Sequence, residues 1–161
     1  MELFLWLVAI VLVVVWLGIV WVGPPYVPTH QKQLDQLFDQ LNIGKDDHVV
    51  DLGAGDGRVL LAAVRRGAAA SGVELNPFLV WIARWRLRQH PRAAIRLGDI
   101  WHYRLPRDTT YVFVFFAHKF MPRLKQFLEM QGRPVRLVSY GFSLPGKKPT
   151  QVLNGFNIYE L

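Results

Sequence analysis

The sequence predicts an α/β fold, a doubly wound and mostly parallel sheet, preceded by one transmembrane helix. Three observations predict it. Residues 3–22 form one run without a charged or polar side chain. Beyond residue 30, short apolar and β-branched segments alternate with segments of helical periodicity, the pattern of strands joined by crossover helices. The first strand–helix junction is rich in glycine, at the place where open α/β sheets take their ligands.

Composition bounds the rest. A chain of 161 residues holds one domain of ordinary size and little more. Hydrophobic residues make up 52% and charged ones 19%, which excludes a long disordered polymer. The absence of cysteine excludes disulfides, thiolate metal sites, iron–sulfur ligation and a cysteine nucleophile. A net charge of +7 beside a mean hydropathy of +0.18 implies that apolar and charged residues are segregated along the chain.

Each element follows in order. A helix over Leu3 to Val22 spans roughly 30 Å, the thickness of a bilayer's hydrocarbon core. Glu2 in place of a basic start, the length of the run, and Gly23-Pro24-Pro25 in place of small residues argue against a cleaved signal peptide. Residues 1–23 are therefore expected to be an uncleaved anchor. All 19 Lys and Arg follow it, so the folded part is expected to face the cytoplasm, as on a bacterial inner membrane. Residues 24–30 hold three prolines and read as a stiff linker. In the domain, residues 31–161, Leu34, Leu37, Phe38 and Leu41 mark a first helix. His48–Leu52 reads as a strand, Val59 to Val64 as a helix closed by Gly67, and Ala69–Glu74 as a second strand. Asn76 caps a helix with Pro77 at its first position, running to about Gln89. Arg84, Arg86 and Arg88 on it read as solvated surface. Strands follow over Ala94–Leu97 and Tyr111–Phe116. A helix opens at Pro122 and stops at Gly132. A fifth strand covers Val135–Tyr140, and Val152–Leu161, broken at Asn154-Gly155, is closing strand material.

The chemistry concentrates in Asp51-Leu52-Gly53-Ala54-Gly55-Asp56-Gly57-Arg58. Glycines there allow a tight turn and close approach to a ligand. The third glycine falls one residue short of the dinucleotide pattern, and no Gly-Lys-Ser/Thr follows for a phosphate loop. Asp51 and Asp56 suit a cationic amino-acid end rather than a pyrophosphate. Glu74, at the end of the second strand, is placed to accept from ribose hydroxyls. Asp99 after the third strand suits an adenine amino group, with Ile100 on the ring. S-adenosylmethionine combines these three features.

With that glycine motif, Glu74 and Gly98-Asp99, the chain resembles the class I, Rossmann-like S-adenosylmethionine-dependent methyltransferases over residues 29–161. Tyr26-Val27-Pro28-Thr29, Gly72-Val73-Glu74-Leu75-Asn76-Pro77 and Leu144-Pro145-Gly146 are similar to the small membrane-anchored lysine methyltransferases acting on the adenine nucleotide translocase and the c-type ring protein of ATP synthase, and to their prokaryotic relatives. The resemblance implies cofactor contacts at Asp51, Gly53, Ala54, Gly55, Asp56, Gly57, Glu74, Leu75, Asp99 and Ile100. It implies a target entrance near Tyr26 and Thr29. The loop Ala117-His118-Lys119-Phe120 departs from the family's glycine- and proline-containing wording. His118 reads as a general base or as a helix-start residue, and Phe115 as a wall of an amine slot or as core. No metal is needed for methyl transfer from a sulfonium.

The expected enzyme is thus a membrane-anchored methyltransferase whose partner is an integral membrane protein bearing the target lysine. A lipid or quinone acceptor, and a non-catalytic module in a membrane complex, are the alternatives. The missing Asn/Asp-Pro-Pro-Tyr sequence speaks against an adenine in nucleic acid, and anionic headgroups account for the basic charge.

Overall fold

The computed structural model describes residues 1–22 and 31–161, with the backbone alone for residues 12 and 14–22. The linker assigned to 24–30, with Tyr26 and Thr29, lies outside the described residues.

The first helix, α1 (Glu2–Val22), is continuous over the apolar run. Its described side chains, Leu3 to Val11 and Val13, are exposed. Among the described residues no helix is long and apolar enough to cross a membrane. The described side chains of α1 stop at Val13, short of a span.

The domain is a sheet of seven strands in the order β3-β2-β1-β4-β5-β7-β6. These are β1 (His48–Leu52), β2 (Ala69–Glu74), β3 (Ala93–Leu97), β4 (Tyr111–Val114), β5 (Arg136–Tyr140), β6 (Gln151–Leu153) and β7 (Phe156–Glu160). The first five pair in parallel, and β7 runs against β5 and β6. Strand order reverses between β1 and β4, so the ligand-binding crevice of a doubly wound sheet falls at their carboxyl ends.

Alternation along the central strands produces two cores. Val49, Phe113 and Val138 face α2 (Gln31–Gln40), α3 (Arg58–Arg65) and α4 (Pro77–Leu87). Val50, Leu52, Val112, Val114 and Leu137 face α5 (Met121–Met130). Phe38 of α2 stacks on Phe113 at 5.2 Å. On the outer side of α2, Asp35 and Asp39 pair with Arg66 at 3.0 and 2.8 Å. The cap foreseen for α4 is present: the Asn76 side chain accepts from the amides of Phe78 and Leu79, with Pro77 starting the helix.

Element ends differ from expectation for local reasons. Strand β4 stops at Val114, not Phe116, because Phe115 and Phe116 leave the ladder to pack against other rings. Strand β5 starts at Arg136; Val135 before it exchanges backbone hydrogen bonds with Leu161. The closing segment is a hairpin of β6 and β7, turned by Asn154 at φ 49° and Gly155 at φ 85°. Two central residues at positive φ are what a tight two-residue hairpin turn requires. Helix α4 ends at Leu87, one turn before Pro91.

Candidate active site

Between β1 and α3 the chain turns through Gly53 (φ 85°), Gly55 (φ 52°) and Gly57 (φ 78°), conformations costly for any residue with a Cβ. The turn is held against β2. The amides of Gly53 and Ala54 both donate to the Val73 carbonyl, at 2.9 and 3.0 Å. Space is tight as well: a Cβ on Gly72 would lie 2.7 Å from the Ala54 Cβ, and one on Gly57 2.9 Å from the Ala83 Cβ. The loop is thus clamped between β2 and α4, and its shape is set before any ligand arrives.

Glu74 closes the same edge. Its Oε2 accepts from the Gly55 amide at 2.9 Å and its Oε1 from the Asn76 amide at 2.8 Å. One carboxylate therefore joins the glycine turn to the turn after β2, where Leu75 is exposed. Asp99 sits at the next loop. Its Oδ1 accepts from the Trp101 amide at 3.0 Å, and its Oδ2 lies 3.3 Å from His102 Nδ1. Ile100 begins the short 3-10 turn Ile100–His102 and is half-buried.

The two aspartates of the glycine segment have different fates. Asp51 is buried, and its Oδ1 has no hydrogen-bond partner among the described residues. Burial, with Glu74 and then Asp56 nearby, pushes its carboxyl well above the usual carboxylate range. Asp56 is held the other way. Burial raises it, but hydrogen bonds and charge from Arg58 and Arg86 outweigh that and bring it to about 2. Arg58 lies 2.9 Å and Arg86 2.7 Å from its Oδ2. The expectation that both carboxylates meet a cationic ligand end is corrected here: the Asp56 carboxylate is taken by two arginines, and Asp51 alone keeps an unsatisfied acceptor. Arg86 is accordingly no surface residue. It also donates to the Asp56 carbonyl at 2.8 Å, a contact between residues 30 positions apart that local spacing could not reveal.

The loop after β4 is built from rings. Phe115 is half-buried against Tyr140 and Phe156, at 5.7 and 6.1 Å between centroids, and belongs to the core edge on that side. Phe116 is buried beside Gly53 and meets Trp101 at 6.0 Å and Phe120 at 6.3 Å. Arg123 lies over the Trp101 ring at 4.2 Å. Neither Trp101 nor Arg123 was singled out from the sequence; a tryptophan two residues past Asp99 was the available signal. His118 is exposed, starting the 3-10 turn His118–Phe120, with its ring 6.5 Å from Phe142. The Leu144-Pro145-Gly146 segment is pinned by the Leu144 amide donating to the Tyr159 hydroxyl at 2.9 Å.

A preformed glycine turn at the switch point, an acidic residue ending β2 and a buried unsatisfied carboxylate define the class I methyltransferase arrangement. The residues fit S-adenosylmethionine: Asp51 offers an acceptor to the amino-acid cation, Glu74 one to the ribose and Asp99 one to the adenine. The chain belongs to the ANTKMT methyltransferase domain family, which residues 51–151 match. It is 38% identical over 135 residues to the adenine nucleotide translocase lysine N-methyltransferase of Mus musculus, covering 80% of this chain and 58% of that one. It is 33% identical to a second mouse lysine N-methyltransferase, named for the c-type ring protein of ATP synthase, over 78% of this chain and 51% of the relative. The chain thus spans little more than half the length of these mouse relatives. A protein-lysine N-methyltransferase of Saccharolobus islandicus is 31% identical over 80% of this chain and 83% of its own. Among solved structures, an RNA methyltransferase from Salinibacter ruber in complex with S-adenosyl-L-homocysteine superposes with a TM-score of 0.74. It is 27% identical and covers 83% of this chain and 92% of its own.

Proposed function

We propose that this chain is an S-adenosylmethionine-dependent protein-lysine N-methyltransferase, tethered to a membrane by α1 and acting on an integral membrane protein. The observation that carries the lysine assignment is the pair of relatives from a mammal and an archaeon. Both are named lysine N-methyltransferases, at 38% and 31% identity over four-fifths of this chain. The tether is supported by an uncharged helix whose described side chains are exposed along its length. The catalytic domain would face the cytoplasm.

The cofactor supplies an electrophilic methyl on a sulfonium. The protein's task is alignment, exclusion of water and disposal of one proton. Asp51 would neutralise the ammonium of the cofactor, and Glu74 and Asp99 would orient its ribose and base. The rings of Phe116, Trp101 and Phe120 exclude water beside the glycine turn. An apolar surrounding of that kind lowers the pKa of an incoming lysine ammonium, favouring the neutral nucleophile.

The test is incubation of membranes with full-length protein and methyl-labelled cofactor, followed by mass spectrometry. Methylated lysine in a small membrane protein is expected. Label confined to lipid or quinone overturns the lysine reading. Label confined to RNA would favour the activity named for the Salinibacter neighbour. Carbonate-resistant membrane association is expected for the tether, and a protein that washes off is not anchored.

A further inference from the structure

Helix α4 is apolar on two opposite faces. Val80, Ala83 and Leu87 are buried in the domain core. Phe78, Trp81 and Trp85 are 64%, 65% and 62% exposed. At about 100° per residue, Phe78 and Trp85 lie within roughly 20° of one direction, with Trp81 about 60° round. The Phe78 and Trp81 rings stack at 6.0 Å, and the Arg88 guanidinium lies over Trp85 at 4.4 Å. Three large adjoining aromatics left in water are unusual for a soluble surface, where such patches mark a partner.

The charges around this face have one sign. From Pro77 to Arg92 there is no carboxylate, against Arg84, Arg86, Arg88 and Arg92. Arg86 turns inward to Asp56, whereas Arg84 and Arg88 are exposed. Tryptophan and phenylalanine flanked by arginine is the composition that seats at a headgroup layer: rings at the interface, guanidinium groups on lipid phosphates.

We propose that the outer face of α4 is a docking surface for an anionic bilayer, a second membrane contact besides α1. The inference rests on the membrane tether of the proposed function. The orientation it imposes has a consequence. Helix α4 begins three residues after Glu74, packs on Gly57 through Ala83, and grips Asp56 through Arg86. Seating its outer face on lipid would therefore hold the carboxyl edge of the sheet, with the glycine turn, at a fixed height above the membrane. Attachment at a single point does not do this.

The chain has no cysteine, so single nitroxide labels can be placed without further changes. Labels at Val8→Cys, Trp81→Cys and Gln126→Cys report on α1, the outer face of α4 and an exposed position of α5. The full chain is reconstituted in phosphatidylglycerol–phosphatidylethanolamine vesicles, and relaxation by oxygen is compared with relaxation by a water-soluble nickel complex. Positions 8 and 81 are expected to favour oxygen, and position 126 the nickel complex. Position 81 should shift toward water in phosphatidylcholine vesicles. If position 81 behaves like 126 while 8 lies in lipid, the docking surface is refuted and the tether stands. If position 8 lies in water, the tether itself is refuted. Spin–spin broadening at position 81 would reveal a second copy on this face and overturn the lipid assignment. In a separate check, Phe78→Ser with Trp85→Ser should lower methylation of a membrane substrate at least tenfold with cofactor affinity unchanged. Equal activity would count against the proposal.

Discussion

The two halves of the sheet's carboxyl edge are built differently. At β1 and β2 the edge is a lattice of short hydrogen bonds among backbone amides, Val73 and Glu74, packed so closely that glycine is required at Gly57 and Gly72. At β4 and β5 it is a set of rings around Phe115, Phe116 and Phe120, ending in the exposed His118 and Phe142. A lattice of fixed donors suits a ligand that is always the same. A cluster of rings with an open rim suits one that completes the site on arrival. The first half is preorganised for a cofactor, and the second is left for an acceptor.

Changes to the first half should therefore act on cofactor affinity, with the largest effects where the lattice is tightest. Gly55→Arg places a large side chain at a φ of 52° in the middle of the turn. S-adenosylmethionine binding should become undetectable by calorimetry while circular dichroism shows a folded protein. Retained affinity would mean that the turn is not the cofactor cradle. Glu74→Ala removes the acceptor shared by two loop amides. Binding should weaken by about 1.5–3 kcal/mol, the range for hydrogen bonds to a charged group.

The third effect is a linkage, and its sign can be worked out. The folded-state pKa of Asp51 is raised above its unfolded value, chiefly by burial. Between those two values the folded protein binds the extra proton, so Asp51 makes the ligand-free protein less stable as pH rises through that window. An ammonium placed beside Asp51 favours its ionised form. Cofactor affinity should therefore rise with pH across the window, with proton release measurable in buffers of different ionisation enthalpy. Asp51→Asn should remove both the pH dependence and the proton release. Asp56 acts oppositely: held at about 2 by Arg58 and Arg86, it adds stability above its unfolded pKa, which is lost as pH falls toward 2. Arg86→Met should raise the midpoint of acid unfolding.

How much of this was legible in the sequence follows from what kind of signal each feature carries. The Asn76-Pro77 cap, the glycine turn and the five parallel strands rest on local chemistry, which short segments display directly. The end of β4 did not, because Phe115 and Phe116 suit a strand equally well, and only Gly53 and Trp101 across the crevice draw the latter out of the ladder. The role of Arg86 was hidden for the same reason: arginines at alternate positions look dispersed, and its partner Asp56 is distant in sequence. The outer face of α4 was obscured because apolar residues on both sides of a helix blur the periodicity that separates inside from outside.

The smallest expected effect tests the second half of the comparison. His118 stood in the sequence as a general base or a helix-start residue. Its ring is exposed at the rim, with Phe142 as its aromatic neighbour. A group in that position can guide an acceptor, but it does not share the enclosure that deprotonates a lysine by desolvation. Loss of a true general base costs about 10²- to 10⁴-fold in rate. His118→Ala should instead lower kcat by less than about tenfold, below the floor of that range. It should raise the KM for the membrane acceptor and leave cofactor affinity unchanged, as single-turnover kinetics and calorimetry can measure. A hundredfold fall in kcat, with a lost acid limb in the pH profile, would place proton transfer at His118 and make the acceptor half as preorganised as the cofactor half.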